Sequence, residues 1–258
     1  MPQEKDEYFS KTLAKGLKVL SLFNEQTPVR TQTEISKTLG INITSTYRLI
    51  NTLVQLGYLQ KDAKSKKLRL GLGALGLAST MVRTFDVNRL IKSLVDEVHD
   101  RHNVTIDVAL VVEDALSIVY RREAEATLTY RLPSVSRAWH TTSLGKAYLA
   151  FLPQDVLLAK LDTLALERKT PKSITTRKKL MDELKTVRER GYSLADEEFL
   201  PGLITIGAPL MNADKGEAVG AVSFDFSTIQ HTVDSMVREY SNLVLQLSRN
   251  ISEAMASL

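Results

Sequence analysis

Residues 31–59 read TQTEISKTLGINITSTYRLINTLVQLGYL, and this stretch decides the fold of the first part of the chain. Ile35 and Leu39 form one apolar edge, and Gly40 follows at a place where a positive φ ends a helix easily. A second inward stripe at helical spacing consists of Thr46, Leu49, Ile50, Leu53 and Leu56. Two short helices joined by a glycine turn have the spacing of a helix-turn-helix.

The outward face of the second helix carries residue types that read nucleic acid. At about 100° per residue, packing the inward stripe on a core leaves five side chains outward, namely Thr44, Tyr47, Arg48, Asn51 and Gln55. Arginine contacts guanine edges or phosphate, asparagine suits adenine, and hydroxyl groups donate to phosphate oxygens. The alternative is an ordinary helical hairpin, which shows the same pattern without any DNA.

The flanking residues favour the DNA-binding interpretation. Thr31 and Glu34 have the spacing of a capping box, which fixes the start of the first helix where it meets the DNA backbone. After Gly57, residues 60–72 alternate leucines with lysines and arginine, which predicts a basic β-hairpin, or wing. The candidate DNA-binding residues are Thr31, Gln32, Thr44, Ser45, Thr46, Tyr47, Arg48, Asn51, Lys61, Lys66 and Lys67.

The positive charge of the chain is concentrated in this same part. The formal net charge is +4, and residues 1–80 hold 12 Lys and Arg against 6 Asp and Glu, whereas the remainder holds 22 against 24. This is expected if only the first part meets a polyanion, although a basic domain without such a partner has the same balance.

Composition excludes several other classes of site. The chain has no cysteine, so disulfides, thiolate metal sites and a cysteine nucleophile are excluded, in keeping with a reducing cytoplasm. No run approaches the roughly 18 apolar residues of a membrane span. The sequence therefore predicts a cytoplasmic protein without membrane contact.

The chain as a whole is predicted to be α+β. Residues 1–76 form the winged helix-turn-helix domain, 77–86 a linker helix, and 87–258 a domain with an antiparallel sheet and flanking helices, of a size that often encloses a small molecule. A helix at the start is predicted to cover the back of the hairpin with Leu13, Leu17, Leu20 and Phe23. Apolar residues along the linker helix indicate either a partner helix in a dimer or packing on their own domain.

After Asn103 the apolar period changes from helical to two, which predicts strands. A hairpin is expected over residues 104–120, a further strand at Leu128–Leu132, and two more at Ile204–Leu210 and Ala218–Phe226. A long amphipathic helix is expected over Thr232–Ala256.

With these elements in order, the chain resembles the IclR family of bacterial transcription regulators over nearly its full length. The matching motifs include Glu34-Ile35-Ser36, Ser45-Thr46-Tyr47-Arg48-Leu49-Ile50, Gly57-Tyr58-Leu59, His140-Thr141-Thr142-Ser143-Leu144-Gly145-Lys146-Ala147, Asp196-Glu197-Glu198 and Ala208-Pro209. The resemblance implies a regulator that binds a palindromic double-stranded operator as a homodimer or homotetramer. It also implies a GAF-like second domain that binds a small effector, often an organic or aromatic acid, and no cofactor.

The resemblance also implies where the effector binds. The residues aligned with the family's effector site are Ser143, Leu144, Gly145, Asp196, Thr205, Ser223 and Asp225. Two of them depart from the family pattern, because Thr205 stands where a cysteine is frequent and Asp225 where a small hydroxyl residue is usual. A buried aspartate disfavours an anionic ligand unless it is paired or protonated, so a hydroxylated metabolite or an amine is an alternative effector.

Catalytic and metal sites are not predicted. His140 and Ser143 are three residues apart, but a nucleophile elbow needs glycine before the serine, where Thr142 stands, and helix capping explains the pattern better. His99 and His102 have metal-ligand spacing, yet a solvated helix face explains them more simply. Two alternatives to the regulator stay open, namely a small-molecule enzyme with a helical appendage, and a constitutive DNA-binding protein whose second domain only oligomerises.

Overall fold

The computed structural model describes residues 9–24, 27–84, 86–112, 114–125, 135–212 and 216–256. The chain divides into two compact units, Met1–Thr84 and Phe85–Leu258. The first unit is helical with a small β-hairpin, and the second combines a six-stranded antiparallel sheet with helices. The predicted α+β class is therefore confirmed.

The first unit contains the predicted helix-turn-helix and wing. Its elements are α1 (Lys11–Leu20), α2 (Gln32–Leu39), α3 (Ile43–Gln55), β1 (Leu59–Lys61), β2 (Leu68–Leu70) and α4 (Leu72–Thr84). The capping box of Thr31 and Glu34 starts α2, and Gly40 ends it with a φ of 62°. The strands of the wing pair antiparallel with Gln60 opposite Arg69. The linker helix α4 begins earlier than predicted, at Leu72 rather than residue 77.

The core of the first unit uses a different face of α1 from the one predicted. Gly16 and Val19 are the buried residues of α1, whereas Leu13 and Leu17 are 63% and 56% exposed. A Cβ on Gly16 would lie 3.9 Å from Leu49, an ordinary van der Waals distance, so this face of α1 packs against α3. The expectation that Leu13 and Leu17 cover the hairpin is thus wrong, because α1 packs with Gly16 and Val19 inward and leaves both leucines exposed.

The second unit is built around one sheet. Its elements are α5 (Asp86–His102), β3 (Thr105–Val112), β4 (Ala115–Arg122), β5 (Val135–Ser136), α6 (Ser143–Ala150), α7 (Gln154–Thr163), α8 (Arg177–Arg190), β6 (Ser193–Asp196), β7 (Leu203–Asn212), β8 (Glu217–Ser227) and α9 (Val233–Ala256). The strand order is β5-β4-β3-β8-β7-β6, and every neighbouring pair is antiparallel. The predicted strands of β3, β4, β7 and β8 and the long helix α9 are confirmed.

The strand expected at Leu128–Leu132 lies outside the described residues, so it stays a prediction. The short strands β5 and β6 were not predicted, because two and four residues are too few to show an alternating pattern.

Helices cover both faces of the sheet. On one face α5 and α9 pack against alternating residues such as Val108, Ile206 and Phe224. On the other face the α6–α8 layer buries Trp139 together with Leu149 and Leu180. Since strand residues alternate between faces, the neighbours Asp107, Thr205, Ser223 and Asp225 point to the α6 side.

The prediction that His99 lies on a solvated helix face is wrong. Its side chain is 8% exposed, and its Nδ1 lies 2.9 Å from the carbonyl oxygen of Val104. This contact ties the end of α5 to the start of β3. In the parts of the chain that the structure describes, none of the helices has the length and apolar character that crossing a bilayer requires.

Candidate functional site

The exposed face of α3 is the first candidate site. Asn42 caps the helix, and its Oδ1 accepts a hydrogen bond of 2.8 Å from the amide of Ser45. From this start, Thr44, Tyr47 and Arg48 project into solvent, while Ser45 and Asn51 are half-buried. These five candidates therefore lie on or beside one accessible helix face.

Thr46 does not belong to this face. Its side chain is completely buried, and its hydroxyl donates to the carbonyl oxygen of Asn42 over 3.0 Å. Position 46 shares the inward stripe of α3 with Ile50 and Leu53, which are also buried. Its inclusion among the DNA contacts is therefore wrong, because the helical period points its hydroxyl away from any ligand.

The start of α2 lies beside the start of α3. The Nε2 of Gln32 donates to the carbonyl oxygen of Ile43 over 3.2 Å, which joins the two helix starts. Thr31 is occupied by its capping box, in which its amide donates to Glu34 Oε2 over 2.6 Å and its hydroxyl accepts from the Glu34 amide over 3.3 Å. The Thr31 amide, and the Thr31 hydroxyl that donates to Glu34 Oε2 over 2.9 Å, lower the pKa of Glu34 by hydrogen bonding to its carboxylate. Thr31 is thus a structural cap with part of its side chain still accessible.

The wing carries several exposed cations, and Lys61 at its base lies near α3. Its turn is closed by Asp62, whose Oδ1 accepts from the amides of Ser65 over 2.6 Å and Lys64 over 3.1 Å. These bonds lower the pKa of Asp62, the one from Ser65 most of all. Lys66 and Lys67 are exposed. The Nζ of Lys61 lies 5.9 Å from the centre of the Tyr47 ring on α3, so the base of the wing adjoins the exposed helix face.

The second candidate site is a cleft between the start of α6 and the sheet. It contains about 290 Å³ of empty space, counting its open mouth. Most of this space belongs to the open mouth, because the enclosed part has a volume of only about 20 Å³, which is room for about one water molecule. The residues that line it are Thr141, Thr142, Ser143, Leu144, Ala195, Phe199, Leu203, Thr205, Ser223 and Asp225.

A helix start forms one wall of this cleft. Thr142 caps α6 by accepting the Gly145 amide over 3.1 Å, and the amides of Ser143 and Leu144 come first in the helix, where no carbonyl of the helix can bond them. A side chain on Gly207 would lie 3.1 Å from Ser143, so this glycine lets the helix start rest directly on β7. The hydroxyl of Thr205 donates to Ser143 Oγ over 2.7 Å and joins the helix start to the sheet.

The opposite wall of the cleft is acidic. Asp225 is 2% exposed and accepts from the hydroxyl of Ser223 over 3.2 Å. Beside it, Asp107 is fully buried, with its Oδ2 2.6 Å from Nη1 of Arg121, and the same nitrogen lies 4.0 Å from Asp225. Burial, and then the charge of Asp225, raise the pKa of Asp107 well above its usual value.

Two of the seven predicted effector residues lie outside the cleft. Asp196 is half-exposed and forms an ion pair of 3.0 Å with Lys172, because its neighbour Ala195 occupies the cleft-facing position of β6. Gly145 has a packing role, since a side chain there would lie 2.3 Å from the carbonyl oxygen of Trp139. The other five, Ser143, Leu144, Thr205, Ser223 and Asp225, all line the cleft.

Sequence reasoning missed several residues of this site. Thr141, Thr142, Ala195, Phe199 and Leu203 line the cleft, and Asp107 with Arg121 supports it. The sequence carried one usable signal, because an aspartate within the apolar strand VTIDVALVV marks a buried charge that needs a partner. Phe199 follows the acidic run, and only the folded loop brings it to the cleft.

The arrangement of His140 and Ser143 is not that of a catalytic pair. The Nε2 of His140 lies 2.9 Å from the carbonyl oxygen of Glu167, whereas Ser143 is bonded to Thr205. Burial lowers the pKa of His140 and favours its neutral form. Capping by Thr142 agrees with the interpretation of this segment as a helix start.

Comparison with known families assigns the chain. The model "Bacterial transcriptional regulator IclR C-terminal" matches residues 79–253, and the model "IclR helix-turn-helix domain" matches residues 12–63. The chain belongs to the IclR family. The resemblance seen in the sequence motifs is thus confirmed, and the IclR-type second unit has the expected GAF-like arrangement of an antiparallel sheet with helices.

Individual IclR relatives agree with this assignment. The HTH-type transcriptional regulator XynR of Escherichia coli (strain K12) is 28% identical over 241 residues, covering 92% of this chain and 93% of XynR. An IclR-type crystal structure from Silicibacter sp. TM1040 superposes with a TM-score of 0.84 at 21% identity, over 95% of this chain and 96% of that one. The crystal structure of an IclR homologue from Microbacterium hydrocarbonoxydans, complexed with 4-hydroxybenzoate, superposes with a TM-score of 0.73 at 19% identity. The superposition covers 96% of this chain and 100% of that one.

Proposed function

We propose that this IclR-family protein regulates transcription by binding a double-stranded operator, and that a small effector in the α6 cleft sets its affinity for DNA. The observation that carries the proposal is the solvent-exposed face of α3 with Thr44, Tyr47 and Arg48, where Lys61 at the base of the wing lies next to the Tyr47 ring. A helix of this kind enters the major groove, and cations beside it neutralise phosphates. The role is regulatory rather than enzymatic, in line with relatives that are named transcriptional regulators.

The operator is proposed to be palindromic and the protein a homodimer or homotetramer. Large apolar side chains are exposed on two helices of the first unit, namely Leu13 and Leu17 on α1 and Leu72, Leu75 and Leu77 on α4. Leu72 is 82% exposed, an unusual position for leucine in a monomer. A second copy that covers these residues would present two recognition helices to two half-sites.

The effector is proposed to be an organic or aromatic acid or a hydroxylated metabolite. The cleft combines the amide-rich start of α6 with polar side chains of the sheet. The Microbacterium homologue complexed with 4-hydroxybenzoate shows that one member of this fold holds an aromatic hydroxy acid.

The test is operator binding with and without effector. DNA selected from a random pool by the purified protein is labelled, and affinity is followed by fluorescence anisotropy. Arg48→Ala should abolish specific binding, whereas Lys185→Ala, which removes an exposed cation from α8 in the second unit, should not. A thermal-shift screen with small carboxylates, aromatic acids and sugars then identifies ligands, and each of them should change operator affinity. Unchanged affinity in Arg48→Ala would remove α3 from the interface.

A further inference from the structure

The loop between β6 and β7 forms part of the wall of the α6 cleft. Residues 197–202 connect the two strands, and Phe199 of this loop lines the cleft and is only half-buried. The rest of the wall belongs to α6, to paired strands, or to the turn before α6, where Thr141 and Thr142 are buried. The loop is therefore the part of the wall that can move at the lowest cost.

A ligand surrounded by protein needs more room than the closed cleft gives. The enclosed part of the cleft has a volume of about 20 Å³, which is room for about one water molecule. Pockets that bury small organic ligands are roughly 300 Å³ or larger. Part of the wall must therefore move when such a ligand enters.

One residue anchors the loop to α6. The ammonium nitrogen of Lys146 lies 2.6 Å from Oε1 of Glu198, and the hydroxyl of Ser173 donates to the carbonyl oxygen of Glu198 over 2.7 Å. Among the residues that the structure describes, the tip at positions 199–201 makes no hydrogen bond beyond the loop and the strand that follows it. The position of Phe199 therefore depends on its neighbour Glu198.

Both ends of the loop have a left-handed backbone. The φ angle is 52° at Glu197 and 80° at Gly202. This conformation is unfavourable for a glutamate, and the Oε2 of Glu197 offsets part of the cost by accepting from the Gly202 amide over 2.8 Å. Changes in φ at these two positions would move residues 198–201 together and leave the pairing of β6 with β7 intact.

The ion pair that anchors the loop is suited to a reversible contact. Burial raises the pKa of Glu198, because the ionised carboxylate is costly inside the protein. Lys146 has a second carboxylate within reach, since its ammonium nitrogen lies 3.6 Å from Glu183 Oε1. The contact with Glu198 can therefore break without leaving a buried lysine unpaired.

We propose that residues 198–201 form a gate over the α6 cleft, in which Phe199 blocks the entrance and Glu198 holds the gate closed through Lys146. Glu197 and Gly202 are the hinges of this gate. The inference rests on the proposed function of the cleft and adds to it the way in which a ligand enters. Glu198 is a positioning residue, because it acts through Phe199 rather than by contact with the ligand.

The test uses a cysteine as a reporter of access, because the natural chain has none. Thr205→Cys places a thiol in the cleft, where Thr205 is 6% exposed. Its reaction with methyl methanethiosulfonate, a small neutral reagent, is followed by mass spectrometry on the full chain. Lys185→Cys gives the rate of an exposed thiol, and Ser248→Cys, buried on α9 at the other face of the sheet, reports global unfolding. The thiol at position 205 should react at least about tenfold more slowly than the one at position 185.

Variants in the Thr205→Cys chain assign the barrier to the gate. Glu198→Gln should raise the reaction rate at position 205 about fivefold or more, because the attraction to Lys146 is lost. Phe199→Ala should raise it similarly without changing the ion pair. Phe199→Leu, which restores most of the bulk, should bring the rate back to within about twofold of the Thr205→Cys chain.

Two controls separate gate opening from a loss of stability. Glu167→Gln is the matched control for Glu198→Gln, because it removes an exposed carboxylate that is paired with Lys169, and it should change the rate by less than about twofold. In the Ser248→Cys chain, the same Glu198 and Phe199 substitutions should leave the reaction rate at position 248 unchanged to within about twofold.

Several outcomes would overturn the gate. These are a thiol at position 205 that reacts as fast as the one at position 185, a rate that either Glu198→Gln or Phe199→Ala leaves unchanged, an equal rise at position 248, or an equal rise in Glu167→Gln. The measurements need neither DNA nor effector, so their result is independent of the operator-binding test. If the gate opens as expected and no ligand changes operator affinity, the gate stands and the proposed function fails. If the gate is overturned and ligands still change operator affinity, the proposed function stands without it.

Discussion

The ammonium nitrogen of Lys146 lies 2.6 Å from Oε1 of Glu198, and both side chains are buried in the second unit. Lys146 belongs to α6, whose start forms one wall of the cleft, and Glu198 directly precedes Phe199 on the other wall. The carbonyl oxygen of Glu198 also accepts from the hydroxyl of Ser173 over 2.7 Å. The ion pair therefore ties the two walls of the cleft together.

Replacing Lys146 should destabilise the second unit. In Lys146→Met the carboxylate of Glu198 loses its partner, and breaking a buried pair in this way costs about 3 kcal/mol. Burial already raises the pKa of Glu198, so the loss should be smaller at pH 5, where the carboxylate protonates more easily, than at pH 8. Urea unfolding followed by Trp139 fluorescence measures the effect.

Two further variants control this experiment. Adding Glu198→Gln to Lys146→Met should recover part of the lost stability, because no buried charge is then left without a partner. Lys185→Met removes an exposed lysine and should change stability by less than about 0.5 kcal/mol. If Lys146→Met unfolds at the same urea concentration as the unmodified protein, the ion pair does not stabilise the cleft.

A pair of threonines on α3 tests the DNA interface. Thr44 is exposed and Thr46 is buried, so Thr44→Val should weaken operator binding several-fold, whereas Thr46→Val should leave it unchanged at temperatures where the protein is folded. Thr46→Val should instead lower stability by roughly 1 kcal/mol, because the hydrogen bond to Asn42 is lost. Anisotropy and thermal melting measure the two effects, and weaker DNA binding by Thr46→Val alone would contradict the orientation of α3.

The raised pKa of Asp107 predicts a dependence of stability on pH. Burial and the charge of Asp225 hold the pKa of Asp107 above its ordinary 3.8, so the folded protein binds this proton more tightly than the unfolded chain. The stability linked to this group is then fully present below about pH 4 and is lost as pH rises through the folded pKa. Asp107→Asn has no titrating group at this position, so its stability does not fall with pH for this reason. The free energy of unfolding of the variant, relative to that of the unmodified protein, should therefore increase from pH 4 upward. Parallel curves in urea titrations between pH 4 and pH 8 would show that Asp107 titrates normally.

Gly145 is predicted to be required for packing. In Gly145→Ala the new methyl group would lie 2.3 Å from the carbonyl oxygen of Trp139, so backbone must shift, at a cost of about 1 to 3 kcal/mol. The melting temperature should fall and the Trp139 emission should change. Gly76→Ala is the control, because nothing lies within 4 Å of the added methyl and alanine favours a helix. Equal melting of Gly145→Ala and the unmodified protein would contradict this packing role.

The elements of the fold were accessible from sequence to different degrees. The stripe of Ile50 and Leu53 and the turn at Gly40 specify the helix-turn-helix locally, and alternation specifies β3, β7 and β8. The face that α1 buries was not accessible, because Leu13 and Leu17 have the right spacing for a core and only the tertiary packing shows that Gly16 and Val19 point inward instead. The short strand β6 depends on its pairing with β7, which no local pattern shows.

The amino-acid sequence by itself determined the family, the helix-turn-helix with its basic wing and the change to a β-rich second part, because these depend on local periodicity, turn residues and motif order. Only the tertiary structure decided which candidates form the sites. Thr46 does not reach the exposed face of α3, and Asp196 and Gly145 do not line the cleft. Phe199 does line the cleft, and Asp107 with Arg121 lies beside Asp225 of its wall. The reason is physical: whether a side chain reaches a ligand depends on the strand register and on the loop that brings distant residues together, and neither property is contained in the spacing of residues along the chain.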